Sequence, residues 1–231
     1  MMASIDTLGG VAEASATTES RAAAAVARAL DDRQKDAAAE VDRILEAAVL
    51  VIERGAPSTP RVADIVKQAG VSNVAFYRYF SGKDDLILAV HERGIGKVRD
   101  YVEHEMAKEA DPVDKVVRWV VSLMTRVQKP ESAKVSRVVA MHMATSAEQL
   151  VAEEEHSRPL RDLLAGAVDA VEEAQDPEAA TDAIYALVTG ELRRHLVMET
   201  SPDADTVARL VAFCLRGLGI SRAAKAPNGK R

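Results

Sequence analysis

Residues 59–83 read TPRVADIVKQAGVSNVAFYRYFSGK, and this stretch decides the fold. Thr59 is placed to cap a short helix whose inward positions are Val62, Ile65 and Val66. Gln68-Ala69-Gly70-Val71 then turns the chain. Gly70 takes a left-handed backbone at little cost, and Ala69 is small enough for two helices to approach closely. Ser72 can cap a second helix, with Val71 tucked inward. Two short helices joined in this way form a helix-turn-helix, whose second member lies in the major groove of duplex DNA.

The second helix has an unusual composition. Four of the chain's eight aromatics, Phe76, Tyr77, Tyr79 and Phe80, fall within five residues, with Arg78 among them. Phe76 and Phe80 are four apart and can anchor one face in a small core. Tyr77, Arg78 and the end of Tyr79 are then expected to point outward. An outward tyrosine offers a ring to a thymine methyl and a hydroxyl to a phosphate, and Arg78 can pair with a phosphate or a guanine edge. The helix that starts after Ser81-Gly82 presents its amino end and Lys83 to a phosphate oxygen. A plainer alternative makes the aromatics core and the charges solvated. It leaves adjacent outward Tyr and Arg unexplained.

Working outward, the composition predicts an all-α chain. Hydrophobic residues make up 48% of the 231, aromatics only 3%, and Ala, Leu, Glu and Arg abound. Alternating apolar runs separated by Asn-Gly or Asp-Gly turns are almost absent. No apolar run reaches the roughly 18 residues of a membrane span, and Met1 to Thr18 lack the pattern of a secretory signal, so a cytoplasmic location and no membrane partner are expected. One cysteine, Cys214, excludes an internal disulfide, and its apolar helix face reads as a packed thiol. The net charge of −6 argues against coating nucleic acid through global charge. Between Arg54 and Lys83, however, Arg54, Arg61, Lys67, Arg78 and Lys83 face Asp64 alone, which suits a DNA-contacting head on an acidic body.

Proline punctuates the chain. Thr59-Pro60, Asp111-Pro112, Asp176-Pro177 and Ser201-Pro202 each set a capping side chain before a Pro at the first helical position. Lys129-Pro130 and Arg158-Pro159 mark breaks without that cap. The helices so bounded run near 40–54, 60–67, 71–78, 83–107, 112–128, 131–147, 158–174, 177–198 and 202–217, with Gly94 and Gly96 bending or dividing the fourth. The domains expected are an N-terminal extension at 1–36, disordered or partly helical; a helix-turn-helix head at 37–92; a helical ligand-binding and dimerisation body at 93–222; and a flexible tail at 223–231. In the extension, Arg21, Arg28, Arg33 and Lys35 could touch DNA as an arm, although a solvated tail explains them as well.

The stretch from about 41 to 92 resembles the TetR family of regulators. The residues that carry the likeness are Arg43-Ile44-Leu45-Glu46-Ala47-Ala48, Glu53-Arg54-Gly55, Asp64-Ile65, Ala69-Gly70-Val71-Ser72, Tyr77-Arg78-Tyr79-Phe80 and Lys83-Asp84-Asp85-Leu86. The resemblance implies that Tyr77, Arg78 and Lys83 occupy DNA-contacting positions, and that Arg61, beside Thr59, sits where the first short helix meets the backbone. Ser72, Asn73 and Val74 open the recognition helix. Asn73 replaces a basic residue common in the family and Pro60-Arg61 replace a Thr pair, departures that bear on base preference rather than binding mode. The resemblance further implies a homodimer on a palindromic operator, usually repressing, released when a small effector displaces the helix that begins at Lys83.

In the body, small residues at Ala183, Ala186, Thr189 and Gly190 suit close helix approach, so the last two long helices are assigned to the dimer interface. Trp119, Leu123, Met124, Met141, His142 and Tyr185 mix flexible apolar groups with a few polar ones and are candidates to line an effector pocket, although such stripes also build plain cores. No catalytic set, metal site or cofactor motif emerges. Glu191 and His195 share a helix face, better explained as a surface or interface pair than as catalysis. The competing reading is a helical protein-binding module that never touches DNA, which leaves the basic, aromatic-rich head without a purpose.

Overall fold

The computed structural model describes residues 9–55, 60–126, 130–143 and 147–220, with side chains described from residue 21 onward except at 126, 130–132 and 142–154. Among the described residues every regular element is a helix: α1 (Gly9–Gly55), α2 (Val62–Ala69), α3 (Asn73–Tyr79), α4 (Lys83–Met106), α5 (Pro112–Arg126), α6 (Pro130–Met143), α7 (Ala147–Val168), α8 (Pro177–Met198) and α9 (Ala204–Gly217).

The all-α expectation holds, and the differences lie at the ends of elements. The first helix does not start near residue 40 but extends back to Gly9. Alanine, the strongest helix former, fills much of this stretch, so backbone propensity continues the helix past the point where it buries anything. Side chains from Arg21 to Asp36 are all exposed, and burial begins in earnest only at Ile44. The break read at Arg158-Pro159 is also absent, because α7 runs through Pro159. Proline forfeits one helical hydrogen bond there. Packing on both sides compensates: Ser157 and Leu160 are buried, the Leu160 carbonyl accepts the Trp119 indole N–H at 3.1 Å, and His156 Nε2 lies 3.6 Å from Glu92 of α4.

Capping follows Asp more often than the residue before Pro. Asp176 accepts from the Ala179 N–H and Asp111 from the Val113 N–H, as expected. The start of α9 is capped by Asp203, which accepts from the Thr206 N–H at 2.7 Å, and not by Ser201; Pro202 is buried ahead of the helix. At α2 the residue before the helix is Arg61, in extended conformation and without a side-chain cap, so Pro60 lies outside the helix. Thr59 lies outside the described residues.

Two cores result. The head core gathers Ile44, Leu45 and Ala48 of α1, Ile65 and Val66 of α2, Phe76 and Phe80 at α3, and Leu86, Ile87 and Val90 of α4. The body core is built on α5, whose Val116, Trp119, Val120, Leu123 and Met124 are sheathed by α4, α7, α8 and α9. One helix enters both: α4 contributes Leu86, Ile87 and Val90 to the head and Val102 and Met106 to the body, and it continues through Gly94 and Gly96 without a break. A second link is α6, whose Val135 and Val139 pack into the head core. From α6, Arg137 reaches the far end of α8, donating Nε–H to the Leu196 carbonyl at 2.9 Å and pairing with Glu199.

Candidate nucleic-acid interface

The turn between α2 and α3 is closed as the sequence requires. Gly70 has φ +66°, and the N–H groups of Gly70 and Val71 return to the carbonyls of Lys67 and Val66. Ser72 then caps α3, its Oγ accepting from the Ala75 N–H at 3.0 Å. Phe76 and Phe80 are buried with ring centroids 5.6 Å apart, so α3 is pinned by one face. The opposite face is bare. Val74 is 75% and Tyr77 59% exposed, and Asn73, Ser72, Arg78 and Arg61 are exposed around them. Lys83 opens α4 at the same edge, half-buried. Exposing Val74 and Tyr77 on a seven-residue helix costs solvation that folding alone does not require.

One expectation fails in this group. The end of Tyr79 does not point outward; its hydroxyl donates to Oε2 of Glu40, on α1, at 2.8 Å. The same oxygen lies 3.7 Å from Nη1 of Arg78, whose guanidinium carbon stands 5.9 Å from the centroid of the Tyr79 ring. Glu40 was not a sequence candidate, and 39 residues separate it from Tyr79 with no motif to join them. Two other polar groups in the head are also engaged. Arg54 donates to the Gln68 side chain at 3.0 Å, tying the end of α1 to the end of α2. Asp85 accepts from the Ser81 N–H at 2.8 Å and from its hydroxyl at 3.1 Å, which fixes the entry into α4.

Residues 44–90 match the family described as bacterial regulatory proteins, tetR family. The head of the chain is thus similar to the amino-terminal domain of that family. Among curated relatives, the fatty acid metabolism regulator protein of Bacillus subtilis (strain 168) is 30% identical over 74 residues, 32% of this chain and 38% of that protein. The match thus covers about two fifths of the curated relatives' length. The fold likeness reaches further. A crystal structure of the transcriptional regulator FadR from Bacillus subtilis in complex with stearoyl-CoA aligns with a TM-score of 0.55 at 20% identity, over 77% of this chain and 95% of that one. RolR in complex with resorcinol aligns with a TM-score of 0.60 at 18% identity, over 81% and 91%.

In the body the pocket candidates divide. Trp119, Leu123 and Met124 are fully buried together on α5, and the Tyr185 ring, half-buried on α8, has its centroid 6.1 Å from that of Trp119. Met141 does not join them: it is 54% exposed on α6. The side chain of His142 lies outside the described residues. Nor is the Glu191–His195 pair a surface one. His195 is buried, its Nδ1 2.7 Å from the Thr200 hydroxyl, and its Nε2 lies 3.9 Å from Glu191, which hydrogen-bonds Arg194. Among the described residues no cluster of three metal-binding side chains occurs, and no helix is long and apolar enough to cross a membrane.

Proposed function

We propose that the chain is a transcriptional regulator that grips a palindromic operator in duplex DNA as a homodimer and releases it when a small, largely apolar effector occupies the body. The observation that carries this reading is the division of α3. Its buried face is locked by Phe76 and Phe80, while Val74 and Tyr77 stand bare beside Asn73, Arg78, Arg61 and Lys83. That is the chemistry of a groove reader: apolar groups for thymine methyls, and amide, hydroxyl and cation for base edges and phosphates. Location with the DNA it reads, in the cytoplasm, follows from that role.

The dimer is supported by what α8 and α9 leave uncovered. Ala183, Ala186 and Gly190 are exposed on α8, and Met198 at its end and Phe213 on α9 are 67% and 59% exposed. Small residues beside large exposed apolar ones suit a helix-to-helix interface with a second copy. We put the effector site around Trp119, Leu123, Met124 and Tyr185, and the proteins of similar fold whose structures hold stearoyl-CoA or resorcinol support a body that takes a small ligand. Helix α4, rooted in both cores, is suited to carry the change. A body that tilts α4 moves the two recognition helices away from the spacing of about 34 Å that successive major grooves demand, and repression ends.

Selection of bound duplexes from a random library by the full chain tests this. An enriched palindrome is expected, and a small apolar ligand found bound to the chain should lower affinity for it. No enrichment at low salt would overturn the reading in favour of a protein-binding module.

A further inference from the structure

Beside the exposed face of α3 sits one carboxylate that a DNA-binding surface would be expected to avoid. Glu40 belongs to α1, yet a single oxygen of it accepts the Tyr79 hydroxyl at 2.8 Å and lies 3.7 Å from the Arg78 guanidinium. Its side chain is largely covered, whereas that of Arg78 is 62% exposed. The negative charge is therefore held in place by a good hydrogen bond, and the positive charge beside it remains free to move. An acidic group at this spot repels phosphate and competes with it for Arg78, at a cost in affinity for any duplex.

We propose that Glu40 is a specificity-determining positioning residue of the DNA-binding head, which holds Arg78 off the sugar-phosphate backbone unless the duplex offers Arg78 a better partner. This rests on the DNA-binding reading above and deepens it. The physics is a competition. On a duplex of the wrong sequence, Arg78 gains a phosphate only by leaving Glu40, so non-specific binding is weakened. On the right sequence, contacts made by the rest of α3 hold the head close enough for Arg78 to gain a base edge or a well-placed phosphate, and the exchange is favourable. Tyr79 serves as the clamp: its hydroxyl fixes the carboxylate and its ring lies within cation–π range of the guanidinium. The arrangement uses discrimination against wrong partners rather than added attraction to the right one.

The test compares the full-length wild type with Glu40→Gln, Arg78→Ala and the double variant. Each binds two duplexes across a salt series: the one that the wild type selects from a random library, and a scrambled duplex of equal length. Glutamine keeps an acceptor for the Tyr79 hydroxyl and removes only the charge. Glu40→Gln should bind the scrambled duplex roughly three- to tenfold more tightly, with a salt slope steeper by about one phosphate contact. Its preference for the selected duplex should fall by a similar factor. Both gains should vanish in the double variant, which a merely structural role for Glu40 would not produce. A Glu40→Gln chain with unchanged preference and unchanged salt slope would overturn this assignment while leaving DNA binding intact. A wild type that binds neither duplex would overturn the DNA-binding reading itself.

Discussion

Phe76 and Tyr77 are neighbours in sequence with opposite fates, the first fully buried and the second more than half exposed. Helical geometry forces the split, since adjacent residues lie about 100° apart around the axis and only Phe80 follows Phe76 onto the buried face. Phe76→Ala should therefore destabilise the chain by about 3–5 kcal/mol in chemical denaturation. A second prediction concerns Cys214, whose thiol is pushed up to about 11 by burial. The folded chain's pKa lies above the unfolded one, so the neutral thiol's contribution to stability is complete below about pH 9 and is lost as the pH rises through about 11. At pH 8 the thiolate fraction is lower on the order of a hundredfold than in the unfolded chain, and a maleimide should label Cys214 slowly until urea is added. At this scale the exposed face of α3 was legible, because a period of 3.6 sorts side chains without knowledge of the rest of the fold. Glu40 was not, because its partners lie on another element and only the packing of α1 against α3 brings them together.

Helices as units were read from proline, glycine and capping side chains, and the reading succeeded where those signals coincide with a packing boundary. It failed where packing overrides the signal, as at Pro159, where contacts to α4 and α5 hold the helix together on either side. At the start of α1 it held in part: the extension was read as disordered or partly helical, and alanine propagates the helix back to Gly9 where no core demands it. The linking role of α6 was also hidden. Val135 and Val139 read as an ordinary apolar pair, and nothing in the sequence shows that they enter the head core while Arg137, on the other side of the same helix, grips the end of α8. Arg137→Ala removes the partner of the Leu196 carbonyl and of Glu199 together, and should cost about 1–3 kcal/mol in denaturant. Arg137→Lys should recover only part of it, since a point charge cannot bridge both groups as a fork does. If effector signals travel by way of α6 as well as α4, the alanine variant will also respond less to a bound ligand in DNA-binding titrations.

For the whole molecule, the division into a small basic-faced head and a larger acidic body was visible in the charge asymmetry and in the motif at 59–83. Residue type alone does not mark an effector pocket, because buried Trp and Met describe a filled core as well as a lined cavity, and Met141 shows how a candidate chosen in that way can fall on the surface. The uncovered apolar side chains of α8 and α9 make the sharpest prediction at this scale. Phe213→Glu places a charge where a second copy would pack. Sedimentation should show a monomer, and affinity for a palindromic duplex should drop toward that of a half-site while the helical content is unchanged. The claim on which everything else depends is that the bare face of α3 reads base sequence. Binding of the wild type and of Tyr77→Ala/Arg78→Ala to the library-selected duplex and to its scrambled counterpart tests it directly. The account predicts that the variant, folded as before, binds both duplexes alike and weakly. A variant that still prefers the selected duplex as strongly as the wild type would contradict it.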